Sequence, residues 1–295
     1  MSAEEPWTVG RLLKWTADYL QQQKHADSPR LDAELLLAQA LGCKRIELYT
    51  RFDEVVADEP RGKFRGLVKQ RASGMPVAYL LGRKEFYSRD FKVTQDVLIP
   101  RPETEHLVIA ALDRLREIAK SGAPQICDVG TGSGCIAITL AKELKTLQAT
   151  AVDISPAALQ IAQANAEKHE VADRVVFVES DLLNALDEQP TLDVIVSNPP
   201  YIGLVEKPTL PRDVLEFEPH AALFSGEDGL DAIRELVAQA PSRLKPGGWL
   251  LIEFGPIVAE AATAIVAGSP HFEPPTVEKD LAKLPRVLIA RRKAD

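Results

Sequence analysis

The chain has 295 residues, of which 45% are hydrophobic and 26% are charged, and its formal net charge is −8. This composition is typical of a globular protein that buries a core, and the acidic balance argues against a protein that coats nucleic acid. The sequence has neither an apolar run long enough to span a bilayer nor an export signal at its start, so we expect a cytoplasmic protein without a membrane segment. The three cysteines and five histidines lack metal-ligand spacing, which predicts that no metal is bound.

Residues 1–75 predict a small helical domain. Apolar residues recur at helical spacing over 7–20, and 28–42 begins with Ser-Pro and ends with Gly, which are helix start and stop signals. A third helix is predicted over 59–74. Residues 76–98 carry aromatic residues between turn residues, so they predict a hairpin that links this domain to the next.

A basic stretch runs from Pro60 to Lys92, with nine lysines and arginines against two acids. On an otherwise acidic chain, it indicates either a docking face for an acidic partner or a solvated helix face. The docking hypothesis singles out Arg65, Lys69 and Arg71.

From residue 99 to residue 295, helical segments alternate with short apolar strands. The strands are predicted at 125–130, 149–155, 174–181, 192–200, 247–254 and 285–292. This alternation is typical of a mostly parallel sheet with helices on both faces. We therefore predict an α/β fold, in which a Rossmann-like sheet follows the helical domain and the hairpin linker.

A glycine-rich turn, DVGTGSG at 128–134, lies between a predicted strand and a predicted helix. Glycines there let the backbone approach a ligand closely, and the N–H groups at the start of the helix point toward it. The spacing of Gly130, Gly132 and Gly134 departs from the dinucleotide fingerprint GxGxxG. Asp128 stands where a pyrophosphate would meet its negative charge, so the turn suits a ligand with a cationic amine.

Two further acids end the next two predicted strands. Asp153 stands where an acid accepts hydrogen bonds from ribose hydroxyls, and Asp181 stands where an acid can meet an adenine amino group. Helix capping is the alternative explanation for each acid, and it applies best to Asp181. Taken with Asp128, the set fits an adenosine that carries an ammonium group and no phosphates. The sequence therefore predicts S-adenosylmethionine as the cofactor.

The fourth strand runs into SNPPYI at 197–202. Pro200 cannot donate a hydrogen bond, and the X-Pro bonds hold the segment extended. The side-chain oxygen of Asn198 and the carbonyl of Pro199 are then two acceptors that can grip one NH2 group, and Tyr201 supplies an aromatic wall. Proline termination of a strand beside a buried tyrosine is the alternative.

The chemistry suggested by this tetrad is methylation of a nitrogen. A planar amide or aromatic amine is a poor nucleophile because its lone pair is delocalised. Holding both N–H bonds aims the lone pair at a methyl group, so that orientation and preset dipoles supply the rate gain without a strong base. The tetrad resembles the (N/D)PP(Y/F) motif of amino-group methyltransferases, and it leaves both adenine-N6 DNA methyltransferases and protein glutamine methyltransferases open.

The order of motifs extends the resemblance to nearly the whole chain. The motifs are SPRLDAELLLA (28–38), IPRPETE (99–105), DVGTGSGCIAITLA (128–141), AVDIS (151–155), SNPPYI (197–202) and EPHAALFSGEDGL (218–230). The chain closely resembles the release-factor glutamine methyltransferases, the HemK-type protein-(glutamine-N5) methyltransferases. This resemblance implies methylation of the glutamine in the Gly-Gly-Gln loop of class I peptide release factors. We expect a monomer that uses S-adenosylmethionine and binds neither a metal nor, stably, a nucleic acid.

The resemblance also implies roles for individual residues. It implies a cofactor site beside Asp128, with Leu182 against the adenine, a substrate-amide site at the tetrad, and a PRPET segment near the pocket. The cofactor residues that it implies are Gly130, Thr131, Gly132, Ser133, Gly134 and Asp153, to which we add Asp181 from its place at a strand end and Asn198 from its place at the same sheet edge. The catalytic and substrate residues are Asn198, Pro199, Pro200 and Tyr201, and the PRPET residues are Arg101 and Glu103. For Arg101 and Glu103, the alternative explanation is a helix that starts at a proline and has acids in its first turn.

The chain departs from the family's pattern at one place. The family usually has a glutamine shortly after its Glu-x-Gly segment, whereas this chain keeps Glu253 and Gly255 without that glutamine. We expect the segment at most to flank the pocket.

Three other functions remain as alternatives. The first is a glutamine methyltransferase that acts on a ribosomal protein, and SPRLDAELLLA favours the release-factor branch over it. An adenine DNA methyltransferase would need a basic DNA-binding face, and a non-enzymatic binder could share the same fold.

Overall fold

The computed structural model describes residues 5–23 and 28–294 of the chain. The α-helices are α1 (Val9–Gln23), α2 (Pro29–Leu41), α3 (Glu47–Thr50), α4 (Asp58–Ala72), α5 (Val77–Leu81), α6 (Thr104–Ile118), α7 (Cys135–Glu143), α8 (Pro156–Lys168), α9 (Arg212–Phe217), α10 (Asp231–Gln239) and α11 (Ala259–Ala267). The strands are β1 (Arg83–Phe86), β2 (Arg89–Lys92), β3 (Gln125–Val129), β4 (Gln148–Asp153), β5 (Val175–Glu179), β6 (Leu192–Ser197), β7 (Leu244–Glu253), β8 (Thr276–Lys279) and β9 (Pro285–Arg291). Within the described residues, no helix has both the length and the hydropathy to cross a membrane.

The chain forms two compact units. The helical unit contains the chain up to Arg83 together with Pro211–Phe217, and the α/β unit contains Lys84–Leu210 and the chain from Glu218 onward. The short α9 therefore belongs by its packing to the helical unit, although it lies within the sequence of the α/β unit. The periodicity of the sequence could not show which unit α9 packs with. The helix has only six residues, none of them buried, so it has no apolar face that a pattern could reveal.

Helices α1, α2 and α4 confirm the three helices predicted in the helical unit. Proline at the first turn of α2 has a preset helical φ, and Gly42 ends the helix in the left-handed conformation at φ +64°. Apolar side chains from these helices form a separate core that includes Leu13, Leu36 and Phe64.

Arg71 corrects the interpretation of the basic stretch. Its side chain is only 6% exposed, and its Nε donates to Asp32 Oδ2 at 2.7 Å inside the helical unit. Including Arg71 in a docking face was therefore wrong, because the residue is an interior ion-pair partner. Arg65 and Lys69 lie on the exposed side of α4.

The segment predicted as a hairpin over 76–98 has two parts. Val77–Leu81 is the short helix α5, bounded by Pro76 and by Gly82 in the left-handed conformation. The hairpin itself is β1 and β2, and its Phe86 and Phe91 are buried in the core of the α/β unit. By its packing the hairpin is thus part of the α/β unit rather than a free linker.

A seven-stranded sheet organises the α/β unit, in the order β5-β4-β3-β6-β7-β9-β8. Strands β3 to β7 pair in parallel, as predicted, whereas β9 runs antiparallel to β7 and β8. The sequence analysis did not predict β8 or α11. The chain moves outward from β3 through β4 to β5 and then returns to place β6 on the other side of β3. Ligands bind at such a switch point in open α/β sheets, outside the carboxyl ends of the strands.

Candidate active site

A cavity of about 410 Å³ lies at the carboxyl ends of β3, β4 and β6. This volume is within the range of small-molecule sites. Its floor is the turn after β3, and its walls come from the turns after β4, β5 and β6. Two segments cover it, one at 96–104 and the other at 219–235.

The cavity brings together most, but not all, of the residues predicted to form the site. The predicted residues that line it are Arg101, Gly130, Thr131, Gly132, Ser133, Asp153, Asp181, Leu182, Asn198 and Pro200. The predicted residues outside its lining are Glu103, Asp128, Gly134, Pro199 and Tyr201. Contacts of three of these residues, Asp128, Gly134 and Tyr201, are described below.

Asp128 lies beneath the glycine turn rather than in the cavity. It is fully buried, and its Oδ2 accepts hydrogen bonds from Thr131 Oγ1 at 2.7 Å and from the Ala137 backbone N–H at 3.1 Å. Burial raises the pKa of Asp128 to about 6, and the nearby charge of Asp153 acts in the same direction. Asp128 therefore holds the turn against the start of α7 while placing a negative charge just below the cavity floor.

Left-handed backbone geometry shapes the turn itself. Gly130 and Gly132 have φ values of +71° and +54°, a region that side chains with a Cβ rarely adopt. Gly134, at φ +80°, has a second requirement, because a Cβ there would lie 2.7 Å from Ile138 Cδ1 and 3.1 Å from Ala162 Cβ. Gly134 thus permits α7 and α8 to approach closely behind the cavity.

Asp153 links the turns after β3 and β4. Its Oδ2 accepts from the Gly132 N–H at 2.8 Å, and its Oδ1 accepts from the Ser155 N–H at 2.9 Å. Burial raises the pKa of this carboxyl group, although the backbone N–H groups oppose the shift. A carboxylate has about four acceptor positions, so Asp153 can still accept a hydrogen bond from a ligand in the cavity.

The side chains that line the cavity are mostly acidic, which favours a cationic ligand. Among the described residues that line the cavity, five are acidic and one, Arg101, is basic. The acids are Asp96, Asp153, Asp181, Asp231 and Glu235. A phosphate group would be repelled by this field, whereas a ligand with positive charge would be attracted.

The residues after β5 form a half-apolar wall. Asp181 is exposed at the cavity mouth, and the partly buried Leu182 has a φ of +49°, which is uncommon for a residue with a side chain. Just beyond, the Leu183 N–H donates to Gln239 Oε1 at 2.9 Å, which ties this turn to α10. A flat ring against Leu182 with its polar edge toward Asp181 would suit this wall.

Asn198 and Pro200 bring the strand-tip motif to the cavity. Asn198 Nδ2 donates to Thr104 Oγ1 at 3.3 Å, which leaves the side-chain oxygen free to accept. The Asn198 backbone oxygen lies close above the glycine turn, 4.0 Å from the point where a Cβ on Gly130 would stand. The motif and the glycine turn are therefore adjacent because β3 and β6 are neighbouring strands.

Tyr201 lies beside the cavity, with its ring against Gly255. A Cβ on Gly255 would come 3.1 Å from Tyr201 Cε2, so the ring rests directly on the glycine backbone. Burial raises the pKa of the Tyr201 phenol to about 12, and the charge of Glu253 contributes to the same shift. The phenol therefore stays neutral across the physiological pH range.

Glu218 joins the two covering segments. It is 4% exposed, its Oε1 accepts a hydrogen bond from Arg101 Nη2, and its Oε2 accepts from the Ile99 N–H at 3.3 Å. The later part of the same segment is fixed to the residues after the strand-tip motif, because the Ile202 N–H donates to the Leu223 carbonyl and the Ser225 N–H to the Ile202 carbonyl. Glu218 thus has a structural role, because it holds the two covering segments together.

Asn165 ties the hairpin to the glycine turn. Its Oδ1 accepts from the Lys92 N–H at 2.7 Å, and its Nδ2 donates to the carbonyls of Lys92 at 3.0 Å and of Ser133 at 2.8 Å. The side chain is fully buried and uses all three bonds to satisfy backbone groups. A helical asparagine carries no sequence signal for this function, so the sequence analysis missed it.

Comparison with known proteins identifies the family. The family model for the PrmC N-terminal domain matches residues 11–82, and the methyltransferase small domain matches residues 109–210. The release factor glutamine methyltransferase of Rhodopirellula baltica is 48% identical over 288 residues, which cover 97% of each chain. This chain belongs to the release factor glutamine methyltransferases.

Other relatives of this methyltransferase agree. The proteins of the same name from Koribacter versatilis and Nitratidesulfovibrio vulgaris are 47% and 44% identical, and the matches cover 90% and 97% of this chain and 92% and 95% of theirs. Among solved structures, a methyltransferase from Pyrococcus furiosus has a TM-score of 0.52 at 16% identity, covering 78% of this chain and 98% of that one. The human hMettl16 catalytic domain has a TM-score of 0.53 at 16% identity, covering 70% and 75%. These structures share the methyltransferase fold.

Glu253 and Gly255 of this methyltransferase lie outside the cavity lining, so their segment flanks the pocket as expected. Gly255 contacts the Tyr201 ring, and Glu253 lies against Thr104, to which Asn198 donates a hydrogen bond. These individual contacts were not predicted from the sequence. Within the described residues, no cluster of three or more histidine, cysteine, aspartate or glutamate side chains could hold a metal.

Proposed function

We propose that this methyltransferase transfers a methyl group from S-adenosylmethionine to the side-chain nitrogen (N5) of the glutamine in the Gly-Gly-Gln motif of class I peptide release factors. The observation that carries the proposal is the orientation of Asn198. The Asn198 NH2 group already donates a hydrogen bond to Thr104, so the side-chain oxygen is the end that is available to the cavity. An oxygen acceptor is what the NH2 group of a substrate carboxamide requires.

The cavity fits S-adenosylmethionine in charge and in donor set. This cofactor supplies an electrophilic methyl group on a cationic sulfur, and it carries a second cation, no phosphate, and a ribose. Five lining acids against one arginine favour such a ligand over a nucleotide with phosphates. We assign Asp153 to the ribose hydroxyls, and Asp181 and Leu182 to the adenine.

The strand tip would hold the substrate amide by two acceptors. Asn198 Oδ1 accepts a hydrogen bond from one N–H of the glutamine, and the Pro199 carbonyl accepts a hydrogen bond from the other. Tyr201 limits movement of the amide plane. Fixing both N–H bonds orients the nitrogen lone pair, which an amide in water keeps conjugated with its carbonyl. The two acceptors also stabilise the positive charge that develops on the nitrogen during transfer, and the methylated nitrogen then loses one of its N–H protons to water, which leaves a neutral N-methyl amide.

A direct assay of the methylated product tests this function. The enzyme is incubated with S-adenosylmethionine and one of four acceptors: a purified class I release factor, the same factor with the motif glutamine changed to alanine, a ribosomal-protein preparation, or duplex DNA. We expect one methyl group on the release-factor glutamine by mass spectrometry and no transfer to the other three. Methyl transfer to DNA or to a ribosomal protein in preference to the release factor would overturn the proposal.

The support under Tyr201 yields a further prediction. Gly255 has an ordinary φ of −78°, so alanine there strains no backbone, but its methyl group would lie 3.1 Å from the Tyr201 ring and displace it. We expect Gly255→Ala to lower kcat by about threefold to tenfold, since small displacements of positioned groups slow transfer. Cofactor affinity, measured by calorimetry, should stay unchanged.

Gly122→Ala is the matched control, because no atom lies within 4 Å of a Cβ at that glycine. It should leave kcat at the wild-type value. If Gly255→Ala had wild-type kcat as well, Tyr201 would have no positioning role.

A further inference from the structure

Glu253 is a buried acid that the proposed reaction does not yet use. It ends β7, it is 1% exposed, and among the described residues its Oε2 has no hydrogen-bond partner. Ser197 pairs with Ile252, so the next residues along these two strands, Asn198 and Glu253, are neighbours, and Glu253 still pairs with Val287 of β9. A buried carboxylate with an unsatisfied oxygen is costly, which calls for a specific reason for its presence.

Thr104 connects Glu253 to Asn198. Thr104 is 2% exposed, and its side chain lies close enough to the Glu253 carboxyl group to lower the pKa of that acid. The Thr104 hydroxyl oxygen accepts from Asn198 Nδ2 at 3.3 Å. The Thr104 side chain therefore lies between Glu253 and Asn198, which lines the cavity.

We propose that Glu253 is a positioning residue that, through Thr104, determines which end of the Asn198 amide faces the substrate. This inference rests on the proposed function, since it concerns the acceptor that grips the substrate amide.

Counting protons gives the reason. The Thr104 hydroxyl has one proton, and an ionised carboxylate can only accept, so Thr104 must donate that proton to Glu253. Its oxygen can then only accept from Asn198, which requires the NH2 end of the amide and leaves the Asn198 oxygen for the substrate. If Glu253 is protonated, it can donate to Thr104 instead, and Thr104 can donate to the Asn198 oxygen. The amide can then turn and present its NH2 group to the substrate, where an acceptor is needed.

The surroundings of Glu253 set the pH at which this change occurs. Burial raises the pKa of Glu253 to about 7, and the charge of Glu103 acts in the same direction. Arg286 and Arg101 favour the ionised form, as does the bond from Thr104. Two neutral groups also feel the charge of Glu253, the Tyr201 phenol and the buried Cys135 thiol, and burial keeps the pKa of both high.

The pH dependence of kcat tests the proposal. At saturating cofactor and release factor, the wild-type enzyme should lose activity as the pH falls through about 7, because protonation frees the Asn198 amide. Glu253→Gln has the same shape and cannot ionise, so this limb of the profile should disappear, whereas any fall near pH 6 that comes from Asp128 should remain. A Glu253→Gln enzyme that keeps the limb near pH 7 would overturn the proposal.

Thr104 provides a second pair of variants. Thr104→Val removes the connecting hydroxyl at nearly constant volume, and it should lower kcat about fivefold to tenfold and also abolish the limb near pH 7. Thr104→Ser keeps the hydroxyl and should restore both. A purely packing role for Glu253 and Thr104 would lower the stability of the protein without removing the pH limb.

A measurement without turnover separates the two proposals. In the wild-type enzyme the 13C signal of the Glu253 carboxyl group should titrate near neutral pH, and in Thr104→Val its pKa should rise, because the hydrogen bond that lowers it is gone. If Glu253 behaves in this way and the release factor is not methylated, the proposed function fails and the coupling stands. If the release factor is methylated and Thr104→Val leaves both the profile and the carboxyl pKa unchanged, the coupling is wrong and the function stands.

Discussion

Replacing Asn198 with alanine is expected to lower kcat for methyl transfer to the release factor by about 10²- to 10³-fold, the range found when one preset hydrogen-bonding group of an active site is removed. The alanine lacks the oxygen that, in the proposed reaction, orients the glutamine amide and stabilises the charge developing on its nitrogen. Cofactor affinity should change little, because the glycine turn and Asp153 do not hydrogen-bond to the Asn198 side chain. Single-turnover kinetics at saturating cofactor would measure the loss directly.

Asn184 offers the control for this substitution. It is an exposed asparagine outside the cavity lining, and its Oδ1 accepts a hydrogen bond from Gln239 Nε2 at 3.1 Å. Asn184→Ala should keep wild-type kcat and cofactor affinity. A fall in cofactor affinity as large as the fall in kcat for Asn198→Ala would show that Asn198 serves the cofactor site and not the substrate amide.

Replacing Asp153 with alanine should have the opposite effect. We expect the dissociation constant for S-adenosylmethionine to rise about 10²-fold, because two hydrogen bonds to a charged acceptor are lost. The substitution also frees the N–H groups of Gly132 and Ser155, which Asp153 holds at 2.8 Å and 2.9 Å, so the glycine turn loses its link to β4. At saturating cofactor kcat should recover to within about tenfold of the wild-type value, since the strand tip is untouched. Isothermal titration calorimetry measures the affinity.

Asp187 is the matched acid, because it is exposed and lies outside the cavity lining. Asp187→Ala removes the same charge from the chain without touching the turn, so it separates a local effect from a change in net charge. Wild-type cofactor affinity in Asp153→Ala, with a kcat that added cofactor does not restore, would contradict the division of roles between Asp153 and Asn198.

Much of the cavity could be predicted because its parts are local in sequence. The glycine turn, Asp153 and the strand-tip motif each directly follow an apolar strand, and the carboxyl ends of parallel strands meet at one edge of a sheet. Once the strands were predicted, their turns had to be neighbours. Asp128 shows the limit of this reasoning, since its position two residues before Gly130 was recognised but its burial beneath the turn was not.

Contacts between distant parts of the chain could not be predicted in the same way. Arg71 looked like one more base in a basic stretch, and only packing against Asp32 made it an interior residue. The hairpin looked like a linker, yet Phe86 and Phe91 enter the α/β core and Asn165 binds its backbone at Lys92. Such partners lie far apart along the chain, and no periodicity relates them.

The sequence by itself therefore determined the α/β class, the family, the cofactor turn and the tetrad at the end of β6, because each of these depends on short stretches whose order along the chain is enough. Tertiary structure alone decided how Asn198 is oriented. The register of β6 against β7 brings Glu253 beside Asn198, and the start of α6 inserts Thr104 between them. Contacts among side chains from three separate elements depend on distances of a few ångströms, which exist only once the sheet and its covering helix have packed.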